Sequence, residues 1–363
     1  MSVDTIGPHL VNIRHLILKS RNKHLFINSR QPKEETATTM SLAYDPEFAA
    51  AIAPLAEMLA ARPKFPAGDA LSRREFGNKS LISIFSQIPD VAGVLRTNHA
   101  IPTHDGHSIT IAEFRKQGAA GSTKPGKVIY YIHGGGMILG SVDVFEKSIA
   151  SRCEQSGTPI FAVGYRLAPE HPHPTPVTDC WSGLQWLSRN AAKLGIDPAR
   201  IVVMGESAGG GLAAGLSLMA RDQKLSPPIL KQILIFPMLD DRTTKAVEAL
   251  VPFATWSYDD NITGWGALLG EKAGSLNPQP GHEYAAPARA ENLTGLPPTF
   301  IDCGQLDIFI HEDAKFATRL IEANVPTEFH VYPGQPHAFM AYAPNATYSK
   351  LAIHNVLKAI ELA

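Results

Sequence analysis

Residues 201–218 read IVVMGESAGGGLAAGLSL, and this stretch decides the fold. The apolar run Ile201 to Met204 breaks at Gly205, Ser207 stands in the centre of G-E-S-A-G, and a helical run of small residues starts at Ala208. That order is strand, very tight turn, helix. The pattern G-x-S-x-G in this setting is a nucleophile elbow, in which the small neighbours Gly205 and Gly209 permit a strained turn that lifts the Ser207 hydroxyl over a sheet edge.

Working outward, short apolar strands alternate with helices. Before the elbow lie strand Val128 to Ile132, a helix near Phe145 to Gln155, strand Ile160 to Val163 and a helix from Val177 to Leu194. After it come helix Ala208 to Arg221, strand Leu230 to Phe236, strand Thr299 to Asp302, helix Glu312 to Ala323, strand Glu328 to Tyr332 and a last helix, Tyr348 to Leu362. Continuous apolar strands spaced by helices predict a mostly parallel sheet covered on both faces, an α/β fold. Val94 to Asn98 and Ser108 to Arg115, joined at His104-Asp105-Gly106, read as an antiparallel pair at the start.

Two stretches do not fit the alternation. About sixty residues separate strand Leu230 to Phe236 from strand Thr299 to Asp302, far more than a crossover needs. Helical stretches at Asp45 to Arg62, with Phe48, Ile52, Leu55, Met58 and Leu59 on one face, and more weakly at Leu71 to Gln87, precede the first strand. Together they are expected to form a lid. The expected organisation is a poorly structured extension at 1–39, cap helices at 40–93, and a catalytic domain at 94–363 with a cap insertion at about 241–290.

Composition excludes several classes. With 363 residues and a formal net charge of -1, nothing points to nucleic acid or an anionic membrane surface. No apolar run is long enough for a stable membrane insertion. The three cysteines, Cys153, Cys180 and Cys303, lie far apart with no metal-ligand spacing and read as buried free thiols. No cofactor or metal site is indicated. The N-terminus lacks the form of a secretory signal, so a cytoplasmic address is expected. Six Lys or Arg against three Asp or Glu in residues 1–39 leave a mitochondrial address as the alternative.

A second signal turns the serine into a candidate nucleophile. His133-Gly134-Gly135-Gly136 follows a strand directly, and a triple glycine carries no side chains to stop its amides from pointing at a developing oxyanion. Both loops leave carboxyl ends of strands in one sheet, where sites in such sheets lie. The elbow topology places the acid and the base after the serine. His330 lies within a strand, His354 in the last helix, His282 in the insertion and His311 just after a strand. His337 follows the last strand, in the loop Pro333-Gly334-Gln335-Pro336-His337, and is the candidate base. Asp307, in the loop after strand Thr299 to Asp302, is favoured over Asp313 as the carboxylate that orients it.

His133-Gly134-Gly135-Gly136, YRLAPEHPHP at Tyr165 to Pro174, GESAGG, and a late Asp and His together resemble the hormone-sensitive-lipase-like (family IV) carboxylesterases of the α/β-hydrolase fold. The likeness runs from about Met40 to the end. It implies a serine esterase with Ser207, Asp307 and His337 as triad, and an oxyanion hole from the amides of Gly135, Gly136 and Ala208. It also implies a cap, bracing roles for Arg166 and Glu170, and a small-molecule ester as substrate. A homodimer through the last strand and helix is common in the group, and the sequence leaves monomer and dimer open.

The chain departs from the pattern at four places. Glu206 stands where Asp is frequent, a tolerable swap. Gly211 stands where Asn is common and is expected to loosen the start of the helix. Ile308-Phe309-Ile310-His311 replaces Pro-Leu followed by a second acid, and Ala338 replaces a glycine, a small change by sequence. The expected chemistry is hydrolysis of carboxylic esters of short to medium acyl chains through an acyl-enzyme. A lactonase, amidase or deacetylase could share the triad. A non-catalytic small-molecule receptor of this fold would lack the triad histidine.

Overall fold

The computed structural model describes residues 41–55, 63–118 and 125–363. The extension expected at 1–39 lies outside them, as do Met58 and Leu59 of the first expected cap helix. Eight strands form one sheet: β1 (Val94–Pro102), β2 (Ser108–Lys116), β3 (Gly126–Ile132), β4 (Ile160–Val163), β5 (Ile196–Glu206), β6 (Lys231–Ile235), β7 (Thr299–Gly304) and β8 (Thr327–Tyr332). Their order is β1-β2-β4-β3-β5-β6-β7-β8. Pairing is antiparallel from β1 through β2 to β4, and parallel from β4 across to β8.

The strands read as unbroken apolar runs because each feeds two cores. In β3, Val128, Tyr130 and Ile132 pack into one core, whereas Ile129 and Tyr131 pack into the other. In β5, Ile201 and Val203 join the first, Val202 and Met204 the second. Alternate side chains of a strand point to opposite faces, so a sheet covered on both sides needs an apolar residue at every position. Burying each such side chain contributes roughly 1.5–3 kcal/mol.

Helices α4 (Thr175–Arg189) and α5 (Ala208–Asp222) cover the first face through Val177, Leu184, Leu212 and Leu216, and α7 (Ile310–Glu322) adds Phe316 and Leu320. Helices α3 (Val142–Ser156) and α8 (Thr347–Glu361) cover the second through Phe145, Ile149, Val356 and Ile360. Helix α3 is well delimited: the Ser141 hydroxyl accepts from the amide of Val144, and Gly157 closes its end at φ 64°. The three cysteines are free and buried.

Helix α1 (Pro46–Ile52) begins at an Asp45 cap and buries Phe48, and α2 (Ala70–Ser86) begins at an Asp69 cap. The insertion between β6 and β7 contains α6 (Tyr258–Leu269), opened by a capping box in which Ser257 and Asp260 bind each other's backbone amides. Asp260 also pairs with Arg73 of α2 at 2.8 Å, with side-chain exposures of only 6% and 3%. The hydroxyl of Thr263 accepts from the amide of Gly68 at 2.9 Å. These contacts join the two stretches that broke the alternation. Among the described residues no helix is long and apolar enough to cross a membrane, and no group of His, Cys, Asp and Glu is arranged to hold a metal ion.

Candidate active site

Strand order sets the position of the site. After β3 the chain turns to one side to form β4, and after α4 it returns to the other side of β3 as β5. The order therefore reverses around β3, and the crevice beyond its carboxyl end and that of β5 is the place where such sheets bind ligands. Register brings the two ends level, with Ile132 opposite Gly205. Glu206 in turn faces Ile235, and Ile235 faces Asp302, so the loops after β6 and β7 start at the same height.

The elbow is as tight as its sequence implies. Ser207 adopts φ 56° and ψ -123°, a region that costs a residue with a side chain about 1–3 kcal/mol. The strain is held by three bonds: its amide donates to Ile235 at 2.9 Å, and its carbonyl accepts from Met238 at 2.9 Å and Gly211 at 3.1 Å. A Cβ on Gly205 would lie 2.1 Å from the carbonyl oxygen of Gly209, and one on Gly209 would lie 2.2 Å from that of Ile132. Only glycine fits either position.

Gly211 corrects an expectation. A Cβ there would lie 2.1 Å from the carbonyl oxygen of Met238, so its bareness lets the start of the insertion pack on α5. It is a point of close contact, not a loosening of the helix. Every residue from Ala208 to Ala220 is buried.

The loops after β7 and β8 bring the other candidates to Ser207. The Ser207 hydroxyl lies 3.0 Å from Nε2 of His337, and Nδ1 of His337 lies 2.6 Å from Oδ2 of Asp307. The other carboxylate oxygen of Asp307 accepts from the amide of Phe309 at 3.0 Å. Asp307 is fully buried, and Ser207 and His337 are 8% and 7% exposed. The rings of Phe236 and Phe309 stand edge-to-face with the imidazole, with centroids 4.9 Å and 5.2 Å apart. The Thr255 hydroxyl, from the insertion, donates to the carbonyl of His337 at 2.7 Å.

Asp313 points elsewhere: it is fully buried, and burial raises its carboxyl well above the usual range. Ala338 adopts φ 56° and ψ 27°. In that left-handed region a side chain costs about 1–2 kcal/mol, so replacing the usual glycine is not a small change.

The triple-glycine loop lies beside the serine. Gly135 and Gly136 have φ of 118° and 60°, and Met137 follows at 62°. Among the described residues the amides of Gly135, Gly136 and Ala208 donate to no protein group. Ala208 is also the first residue of α5, whose N-terminal end favours negative charge. His133 is buried, stacks on Tyr165 at 4.3 Å, and shares a 2.8 Å hydrogen bond with the carbonyl of Gly134. Burial pushes its pKa down to about 4, which keeps the ring neutral.

Arg166 and Glu170 both hold ion pairs. Arg166 grips buried Asp179 through Nε and Nη2 at 2.9 Å and 2.7 Å, and reaches Asp105 at 2.8 Å. Glu170 pairs with Arg74 of α2 at 2.7 Å.

Two carboxylates near the site carry no clear sequence signal. Glu312 accepts from the amides of Leu239 and Asp240 at 2.6 Å and 3.1 Å, and from the hydroxyl of Thr243. It thereby pins the start of the insertion. Asp302, at the end of β7, accepts from the amide of Phe236 at 3.3 Å, and its other oxygen has no partner.

Burial pushes Asp302 up from 3.8 to about 7, with Arg152 and Glu206 the nearby charges. Below about pH 4 both folded and unfolded chains hold this proton. Between pH 4 and 7 the unfolded chain releases it while the folded one keeps it, so stability falls as pH rises, and above 7 the effect is constant. Asp302→Asn should remove this slope. Denaturant unfolding at pH 4.5 and 8 is expected to show the variant gaining about 2–4 kcal/mol on the parent across that interval. An unchanged difference would mean that Asp302 ionises freely.

Known proteins bear on this arrangement. Residues 129–341 match a family described as the alpha/beta hydrolase fold. The esterase LipI of Mycobacterium tuberculosis is 31% identical over 228 residues, covering 60% of this chain and 66% of that protein. The carboxylesterase NlhH of the same organism is 33% identical over 225 residues, covering 60% and 67%. The aligned stretch thus spans about two thirds of those relatives. A bacterial heroin esterase superposes with a TM-score of 0.78 at 34% identity over 88% of this chain and 97% of that one. A hyperthermophilic esterase of Pyrobaculum calidifontis gives 0.75 at 27% identity over 88% and 98%. With its motifs on the strand ends that such a fold requires, the chain belongs to the alpha/beta-hydrolase fold family, in its hormone-sensitive-lipase-like group of esterases.

Proposed function

We propose that the chain is a serine esterase that hydrolyses carboxylic esters of short to medium acyl chains through an acyl-enzyme. The observation that carries this reading is the chain of contacts from Ser207 Oγ to His337 Nε2, 3.0 Å, and from His337 Nδ1 to Asp307, 2.6 Å. Ser207 Oγ attacks the ester carbonyl while His337 Nε2 takes its proton. The carbonyl oxygen becomes an oxyanion at the amides of Gly135, Gly136 and Ala208. One donor of this kind is typically worth 10²–10³ in turnover. His337 then gives its proton to the departing alcohol, and a water activated by the same imidazole releases the acid. Asp307 holds the proton on Nδ1, leaves Nε2 free to accept, and stabilises the imidazolium.

The insertion supports the limit on acyl length. The ring of Trp256 lies against Gly136 so closely that a Cβ on that glycine would be 2.4 Å from it. We take this ring to be a wall of the acyl site, one that would leave a long carbonyl substituent little room. Esterase names among the relatives agree with the bond cleaved.

The test is a panel of p-nitrophenyl esters of increasing acyl length, run beside fluorophosphonate labelling of Ser207. Activity greatest on the shorter acyl chains is the expected result. Labelling without turnover of any ester would redirect the reading to another acyl donor, such as a lactone or an amide. No labelling would remove the nucleophile.

A further inference from the structure

The oxyanion loop is a difficult shape for a chain to keep. Within six residues, Gly135, Gly136, Met137 and Gly140 all take positive φ, at 118°, 60°, 62° and 87°. Its internal bonds are two, from the amides of Ile138 and Leu139 to the carbonyl of Gly135 at 3.1 Å and 2.9 Å. Three of the four are glycines, which reach positive φ freely but have the most backbone freedom to lose, and two bonds do not order the six residues against the entropy of a free loop. Something outside must fix it.

That support comes from α2, about sixty residues earlier in the chain. Arg74 Nε donates to the carbonyl of Ile138 at 2.5 Å, and the Asn78 side-chain oxygen accepts from the amide of Gly140 at 2.8 Å. Between them Gly77 receives the side chain of Leu139, where a Cβ would lie 2.6 Å from Leu139 Cδ2. Positions 74, 77 and 78 are i, i+3 and i+4, neighbours on one helical face. Three consecutive loop residues, Ile138, Leu139 and Gly140, thus each meet one residue of that face.

The same arginine reaches a second loop. Its Nη2 donates to the carbonyl of Ala168 at 2.6 Å, and its guanidinium holds Glu170 through two contacts of 2.7 Å. The amide of Ala168 in turn donates to the carbonyl of Met137 at 3.0 Å. Arg73, the residue before Arg74, turns away to Asp260 and the carbonyls of Phe65 and Pro66. One arginine joins the cap segments to each other, and its neighbour joins α2 to the loop under the candidate oxyanion hole.

We propose that α2 is a template for the oxyanion hole, with Arg74, Gly77 and Asn78 as positioning residues that set the amides of Gly135 and Gly136. The inference rests on the reading of those amides given above. None of the three needs to touch substrate. Loss of the template lets the loop relax, and the loss falls on the transition state, where the oxyanion exists, more than on the bound ester.

The experiment measures Arg74→Ala, Asn78→Ala, Arg74→Lys and Glu170→Gln. Two readouts are used: kcat and KM on a short p-nitrophenyl ester, and protection of Ser207 from fluorophosphonate labelling by an alkyl trifluoromethyl ketone. The ketone forms an oxyanion on the serine and needs no turnover, so the template is tested even if esters prove not to be the substrate. Arg74→Ala should lower kcat by roughly 10–100-fold with KM within about threefold, and weaken the ketone by a similar factor. Asn78→Ala, which removes one bond and keeps the fold, should do the same more weakly.

Arg74→Lys should fall between, since one ammonium cannot span both carbonyls. Glu170→Gln removes the ion pair but leaves the two carbonyl bonds, and should stay within about threefold of the parent. The proposal is overturned if Arg74→Ala and Asn78→Ala lower only the melting temperature, or raise KM alone. It is also overturned if Glu170→Gln costs as much as Arg74→Ala, because the ion pair and not the template would then be what matters.

Discussion

Ser207→Ala is expected to lower turnover by about a million-fold, near 8 kcal/mol of barrier, while the protein stays folded. The side chain removed is small and 8% exposed, and the strained turn is held by backbone bonds that alanine keeps. His337→Ala should cost nearly as much by itself, and the double variant little more than either. Nucleophile and base act as one unit, and once the proton has nowhere to go the hydroxyl contributes little. Residual hydrolysis above the uncatalysed rate would come from the amides around the carbonyl. Steady-state rates on a p-nitrophenyl ester, with melting temperatures as control, check this. Activity in Ser207→Ala near that of the parent would end the serine mechanism.

Asp307→Asn should lower kcat by about ten-thousand-fold with little loss of stability. The reason lies in which atom each oxygen of Asp307 serves. Oδ1 accepts from the amide of Phe309, and Oδ2 faces His337 Nδ1. An asparagine must keep its oxygen on the Phe309 amide, because its NH2 there would set donor against donor. The NH2 then faces Nδ1, which must accept. The imidazole proton moves to Nε2, the atom 3.0 Å from the Ser207 hydroxyl, and the ring can no longer act as base. A loss below about tenfold would show that Asp307 does not set the tautomer.

Part of this site is legible in the sequence alone. Gly205 and Gly209 announce the elbow around Ser207 because no other residue fits at either position, and the glycines after His133 do the same for the second loop. Asp307 and His337 are reachable, since a parallel sheet delivers its loops to one edge and both stand in loops after the last two strands. The tie between α2 and the oxyanion loop had no such signal. The helix reads as weakly periodic because the face that matters carries Arg74, Gly77 and Asn78, polar or bare positions whose partners lie in another segment. Glu312 was hidden in the same way, as an acid at a helix start whose purpose is to hold amides of Leu239 and Asp240.

The strands, the strained serine turn and the glycine loop follow from the sequence, because local sterics and side-chain alternation act between residues that are near neighbours in the chain. What Gly211 and Ala338 do, which arginine meets which loop, and how Trp256 closes on Gly136 were decided only by the tertiary structure. Each of these depends on two segments far apart in sequence arriving within a few ångströms, and close packing, unlike backbone preference, has no pattern in either segment alone. The elbow at Ser207 is written in the chain, and the loops that make it a site are held in place by the fold.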